Sequence, residues 1–183
     1  MGAAKEQLNP LKMRIAIIGS TGSGKSTLAA SLAAKLHIPH TELDNLHWLP
    51  DWQERTDAEF RELVDIATRQ PAWVIDGGYS VVRDLVWGRA DVIVWLNYSF
   101  AMTALQLVRR TIQRNTQKVP CCNGNFESIK RSLSRDWILL WLLKTYAKNR
   151  RTLPLALMQH SVAQHVVLRS PTETSLWLAA LRR

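Results

Sequence analysis

Long apolar runs are missing from this chain of 183 residues; the longest, Trp137 to Leu143, spans seven. A membrane-crossing helix needs about 20 apolar residues, so a transmembrane role is excluded. Cysteine is almost absent. The two present, Cys121 and Cys122, are adjacent and have neither Cys-x-x-Cys spacing nor a histidine in ligand spacing. That excludes a disulfide framework and a structural zinc site, and points to a reducing compartment. The start, M-G-A-A-K-E-Q-L-N-P, lacks the apolar centre of a signal peptide, and no Ser or Thr stands at the myristoylation position. A cytoplasmic location without membrane attachment is expected. The five histidines form no spaced pair, so none is assigned a role.

Acidic residues are scarce in the second half. Residues 92–183 hold 14 Lys/Arg against 3 Asp/Glu, whereas residues 1–91 hold 10 against 12, and the net charge is +9. Eleven of the 14 basic residues lie between Arg109 and Arg151. Such a block suits nucleic acid. It equally suits a cover that closes on polyphosphate, because phosphoryl transfer needs cations around the migrating group.

What is present is a complete Walker A loop, G-S-T-G-S-G-K-S, from Gly19 to Ser26. Glycines at 19, 22 and 24 let the chain curl so that successive N–H groups of Gly19, Ser20, Thr21, Gly22, Ser23 and Gly24 point at phosphate oxygens. Lys25 reaches the β- and γ-phosphates, and the Ser26 hydroxyl is suited to Mg²⁺. Thr27 opens a helix whose positive end faces the same anion. The context fits: the β-branched run Met13 to Ile18 precedes the loop, and Thr27 to Leu36 has good helix propensity.

Further elements alternate. A second strand is expected over His37–Leu43, ending at Asp44, followed by a loop over Asn45–Arg55 that carries Trp48 and Trp52. Thr56-Asp57-Ala58-Glu59 is a capping box for a helix that ends before Pro71. Ala72–Asp76 and Ala90–Leu96 are the third and fourth strands, nearly all apolar, as parallel strands covered on both faces are. Ser99 caps a helix to about Asn115. A polar connector spans Lys118–Asn125, and a long helix is expected over Phe126–Arg150. His165–Arg169 is a fifth strand, and Thr172–Leu181 a closing helix. This alternation indicates an α/β three-layer sandwich with a parallel sheet. The length fits one domain over residues 1–183, as a monomer or homodimer.

In such sheets, ligands sit at the carboxyl ends of the strands. That rule gathers the P-loop, Asp44 and Asp76 on one rim. Asp76 closes an apolar strand, where a Walker B carboxylate holds Mg²⁺; an ordinary turn-starting Asp is the alternative. Asp44 is placed to position or deprotonate an acceptor hydroxyl, or simply to cap the next turn. Gly77-Gly78 lets a substrate approach the backbone, and Arg83 is a candidate clamp on an anionic acceptor. Arg109, Arg110 and Arg114, with Arg131 and Arg135 beyond them, are candidates to reach phosphates. Trp48 and Trp52 stand beside the Asp44 rim as candidate pocket walls.

The runs R-I-A-I-I-G-S-T-G-S-G-K-S-T-L-A, E-L-D-N-L-H-W, W-V-I-D-G-G-Y-S-V-V-R and A-D-V-I-V-W-L-N resemble P-loop kinase-like proteins of the DNA topology modulation, or adenylate kinase-like, family. These are relatives of nucleoside monophosphate, shikimate and gluconate kinases. The resemblance covers Met13 to Arg114. It implies a nucleotide kinase fold with strand order 2-3-1-4-5, ATP and Mg²⁺, and an arginine-bearing lid over about residues 110–150. By position, Asp44 is similar to the acceptor-side aspartate of shikimate kinases, and Arg110 or Arg114 to a first lid arginine. Asp76-Gly77-Gly78-Tyr79 falls where adenylate kinases have Asp-Gly-Phe-Pro-Arg; the Phe-Pro-Arg continuation is missing here, as are an AMP-binding helix signature and a zinc lid. The expectation is an ATP-dependent kinase of a small acceptor. The alternative is a nucleotide-dependent regulator that binds DNA through residues 109–151.

Overall fold

The computed structural model describes residues 12–126, 138–160 and 163–181. Five strands form one sheet: β1 (Arg14–Gly19), β2 (His40–Glu42), β3 (Trp73–Asp76), β4 (Val92–Leu96) and β5 (Gln164–Leu168). Their order is β2-β3-β1-β4-β5, and every neighbouring pair is parallel. That is the 2-3-1-4-5 order expected. The helices are α1 (Lys25–Leu36), α2 (Leu43–His47), α3 (Asp57–Thr68), α4 (Arg83–Arg89), α5 (Phe100–Gln117), α6 (Ile138–His160) and α7 (Pro171–Ala180).

Side-chain alternation along the strands builds two cores. Ile15, Ile17, Val74, Val92 and Val94 face one side, where Leu28, Ala29 and Leu32 of α1 cover them with Trp177 and Leu178 of α7. Ala16, Ile18, Trp73, Ile75 and Ile93 face the other, under Phe60 and Val64 of α3, Val86 and Trp87 of α4, and Ala156 and Leu157 of α6. A strand buried on both faces has no polar position to spare. β4 is buried at all five positions. Three layers follow directly.

Local signals act as expected at several ends. Thr56 and Glu59 exchange both capping-box hydrogen bonds at the head of α3, and the Ser99 hydroxyl accepts from Met102 N–H at the head of α5. Other boundaries move. β2 is only three residues long, because Pro39 removes a ladder donor and Leu43 starts a helix. Asp44 therefore lies in the first turn of α2 and not at a strand end. The expected loop over Asn45–Arg55 is partly helical, with the end of α2 and a 3₁₀ turn at Pro50–Trp52. Of the expected Phe126–Arg150 helix, residues 127–137, with Arg131 and Arg135, lie outside the described residues. Phe126 is not helical, and α6 continues well past Arg150 to His160. α6 also runs through Pro154, which costs an intrahelical bond. Burial of Leu142 on one side of the proline and of Ala156 and Leu157 on the other holds both halves in place.

Deleting core volume at the sheet centre should destabilise far more than trimming a helix surface. Ile93, 0% exposed, should cost about 2–5 kcal/mol on Ile93→Ala. Ile66 on α3 is 55% exposed, and Ile66→Ala should cost no more than about 0.5 kcal/mol. Urea unfolding midpoints of the two variants check this; similar shifts would contradict the layer assignment.

Candidate functional site

The carboxyl ends of β1, β2 and β3 open on one cleft of about 1860 Å³. At its floor is the P-loop. Lys25 begins α1, and its Nζ donates to the Ser20 carbonyl at 3.0 Å, which folds the lysine over the loop. Burial pushes the Lys25 ammonium pKa down, the carboxylates of Asp44 and Asp76 act against that, and Arg110 adds to it. Ser23 Oγ is buried with no hydrogen-bond partner among the described residues. The loop is pressed against α5. Gly22 has φ +84°, and a Cβ there would stand 2.8 Å from the Thr103 carbonyl and 2.7 Å from Leu107 Cβ. Only glycine allows that approach.

Asp76 is 4% exposed at the end of β3. Ser26 Oγ donates to its Oδ2 at 2.7 Å, and His40 Nε2 donates to its Oδ1, also at 2.7 Å. The sequence expectation brought Ser26 and Asp76 together as a metal pair, and the structure places them in contact. A hydroxyl and a carboxylate oxygen are hard donors of the kind Mg²⁺ takes, so this pair fits that ion. His40 is new. Nothing in the histidine spacing marked it; the signal available was its position two residues before Glu42 on a strand that must lie beside β3.

Asp44, in the same cleft, accepts a hydrogen bond from Tyr79 OH at 2.6 Å. Burial and the Asp44 charge push the Tyr79 phenol far up, so it stays a donor. The Tyr79 ring packs on His47 and Phe60, at centroid distances of 4.6 and 5.2 Å. Gly77 gives this corner its shape: at φ +139°, a Cβ there would meet Leu43 Cβ at 2.7 Å. Glu42, half-buried and in register with Asp76, also lines the cleft; burial and then Asp76 push its carboxyl up. It was not singled out from the sequence. Trp48 and Trp52 line the cleft as expected, their rings edge-to-face at 5.5 Å.

The arginines separate. Arg83, the first residue of α4, stacks its guanidinium over the Trp87 ring at 4.7 Å, and among the described residues it has no carboxylate partner. Arg110 and Arg114, one turn apart on α5, both line the cleft. The charge of Arg110 acts on Lys25, while that of Arg114 acts on Glu42 and Cys122. Arg110 is thus felt at Lys25, and Arg114 at Glu42 and Cys122. Arg109, Lys144 and Lys148 border the same cleft.

The connector after α5 is more than a spacer. Asn123 N–H donates to Asn45 Oδ1 at 2.9 Å, and its side-chain amide donates to the Trp48 carbonyl at 3.1 Å. Asn125, buried, donates to the Leu49 carbonyl at 2.9 Å and accepts from Trp52 N–H at 3.0 Å. The segment is thus latched onto the loop that follows Asp44. Cys122 belongs to this segment, its thiol pushed up by the Cys121 hydrogen bond, by burial and by Asp44. Neither cysteine is in a disulfide.

Among the described residues, no helix is long and apolar enough to cross a membrane. A model of the central domain of the helicase HerA matches residues 7–45, the stretch that holds β1, the P-loop, α1 and β2. YqaC of Bacillus subtilis (strain 168), an uncharacterized protein, is 28% identical over 133 residues, 72% of this chain and 74% of that one. A gluconokinase from Sinorhizobium meliloti 1021 has a similar structure, with a TM-score of 0.53 and 19% identity over 93% of this chain and 94% of that one. A shikimate kinase from Bacteroides thetaiotaomicron is similar at a TM-score of 0.54 and 17% identity, over 92% of this chain and 96% of that one. Similarity over nearly the full length at such low identity is similarity of fold, and the fold of this chain is that of the P-loop kinases.

Proposed function

We propose that this protein is a cytoplasmic phosphotransferase that moves the γ-phosphoryl group of ATP, with Mg²⁺, to a small acceptor carrying a hydroxyl and an anionic group. The observation that carries the reading is the single cleft. Groups suited to phosphate (Lys25, Arg110) and to an acceptor (Asp44, Arg83) line the same space as the Ser26–Asp76 pair. Residues 1–183 act as one unit in this reading, and the basic residues of α5 and α6 that line the cleft close on the donor.

Each residue has a physical task. The N–H groups of the loop from Gly19 to Thr27 hold the phosphates, and the partnerless Ser23 hydroxyl supplies one more polar contact. Ser26 Oγ and Asp76 would hold Mg²⁺, which supplies charge neutralisation to the phosphate oxygens when bound. Lys25 swings from the Ser20 carbonyl to the β- and γ-phosphates. Asp44, held at one oxygen by Tyr79, orients the acceptor hydroxyl with the other and takes its proton as the new P–O bond forms and the bond from the γ-phosphorus to the β–γ bridging oxygen breaks. Arg83, stiffened by Trp87, clamps the acceptor anion. Catalysis of this kind is mostly positioning and electrostatics.

The basic block favours this reading over a DNA-binding regulator. Arg109, Arg110, Arg114, Lys144 and Lys148 all border the cleft, where their charge meets polyphosphate. A screen of nucleoside monophosphates, sugars and hydroxy acids for acceptor-stimulated ADP release tests the proposal. One stimulating class is expected; no stimulation by any, together with steeply salt-dependent binding to duplex DNA, would replace it with the regulator.

Lys25→Ala should lower nucleotide turnover by on the order of 10²–10³-fold with an unchanged circular dichroism spectrum; retained turnover would sink the assignment. The acceptor end should respond differently. Arg83→Ala should raise the acceptor KM by about 10-fold or more, the loss expected when a charged partner is removed, and leave the KM for ATP within about twofold. Equal rises in both KM values would remove Arg83 from the acceptor side.

A further inference from the structure

We infer that His40 is a positioning residue that fixes the Asp76 carboxylate for Mg²⁺ binding, an inference that rests on the nucleotide and Mg²⁺ reading above. Side chains two apart on a strand face the same side. His40 and Glu42 share a face of β2, and Val74 and Asp76 share a face of β3; in register His40 pairs with Val74 and Glu42 with Asp76. His40 therefore reaches Asp76 diagonally, along the face that Val74 turns toward α1. That is the face on which Ser26 approaches from the other side.

The consequence is a carboxylate held at both oxygens. Oδ2 accepts from Ser26 Oγ and Oδ1 from His40 Nε2, each at 2.7 Å. Asp76 is 4% exposed and the His40 side chain 17%, so solvent cannot readily substitute for the imidazole. Without the N–H of His40, Oδ1 would be a buried acceptor with nothing to accept. The carboxylate would then turn about its terminal bond toward other donors and away from Ser26. Imidazole itself is a poor ligand for Mg²⁺, which takes oxygen. His40 therefore acts through Asp76, as partners of metal-binding groups commonly do.

Calorimetric titration with the non-hydrolysable analogue AMP-PNP, with and without Mg²⁺, reads this without turnover. The quantity is the ratio of the Mg²⁺-free Kd to the Kd with Mg²⁺. In His40→Ala the ratio should fall about 10-fold or more relative to wild type, the usual effect of losing such a partner, while the Mg²⁺-free Kd stays within about twofold. His40→Gln, whose amide N–H can still reach Oδ1, should keep most of the ratio, and it supplies the answer should the alanine variant not fold. A wild-type ratio in His40→Ala overturns the inference. So does a loss shared equally by the Mg²⁺-free and Mg²⁺-bound affinities in both variants, which assigns His40 to holding the sheet alone. A wild-type protein that binds AMP-PNP equally with and without Mg²⁺ removes the Mg²⁺ reading and this inference together, which distinguishes that failure from failure at His40.

Discussion

A parallel strand covered on both faces has room for polar groups only where it ends, and this constraint sets where the P-loop and Asp76 lie. After Arg14, β1 is apolar to its carboxyl end, β3 is apolar up to Asp76 and β4 is apolar throughout, and all of them run the same way. Their carboxyl ends therefore deliver Gly19, Asp76 and Asn97 to one rim. The sheet register makes the alignment sharp: Asp76 lies beside Ile17 on one flank and Glu42 on the other. A single residue of slippage would turn Asp76 to the opposite face, away from α1 and Ser26. The two-sided core is thus the reason the site exists as well as the reason the fold is stable.

Helix α5 transmits that constraint across the cleft. Its Thr103–Leu107 turn sits so close to Gly22 that the P-loop and the helix are effectively one packed body. Arg110 and Arg114, on the next turns of the same helix, inherit a fixed distance from the phosphate loop. The stretch after α5 then grips the Asp44 loop through Asn123 and Asn125. The P-loop, the α5 arginines and the stretch after Asp44 are thus tied together by one continuous run of chain, from residue 100 to residue 126.

Much of this was readable from residue types. The strand order followed from the family resemblance and the layers from the alternation of apolar strands with helices. The P-loop, Asp76, Asp44, Arg83, Arg110 and Arg114 all line one cleft. What was not readable depends on pairings between distant segments. His40 carries no local signal, since one histidine on a short edge strand acquires meaning only once β3 is known to lie beside it. The Asn123 and Asn125 latch looked like ordinary turn chemistry, because Asn and Gly suit the left-handed turn residues found there. Asp44 was expected at a strand end and lies in a helical turn; Leu43, buried against Gly77, draws that residue into α2. Pro154 reads as a helix breaker in isolation, and burial on either side overrides it.

The distribution of charge follows from the same geometry. Asp44, Glu42 and Asp76 crowd the ends of two adjacent strands, and like charges so placed repel. Asp76 escapes by accepting from Ser26 and His40, and Asp44 by accepting from Tyr79. Glu42 is left with its carboxyl pushed up by burial and by Asp76. Lys25 and the α5 arginines bring the opposing charge to the same cleft, so its lining mixes both signs. Under the phosphotransferase reading proposed above, a polyphosphate with its divalent cation would answer both signs at once, whereas a nucleic acid backbone presents anions alone.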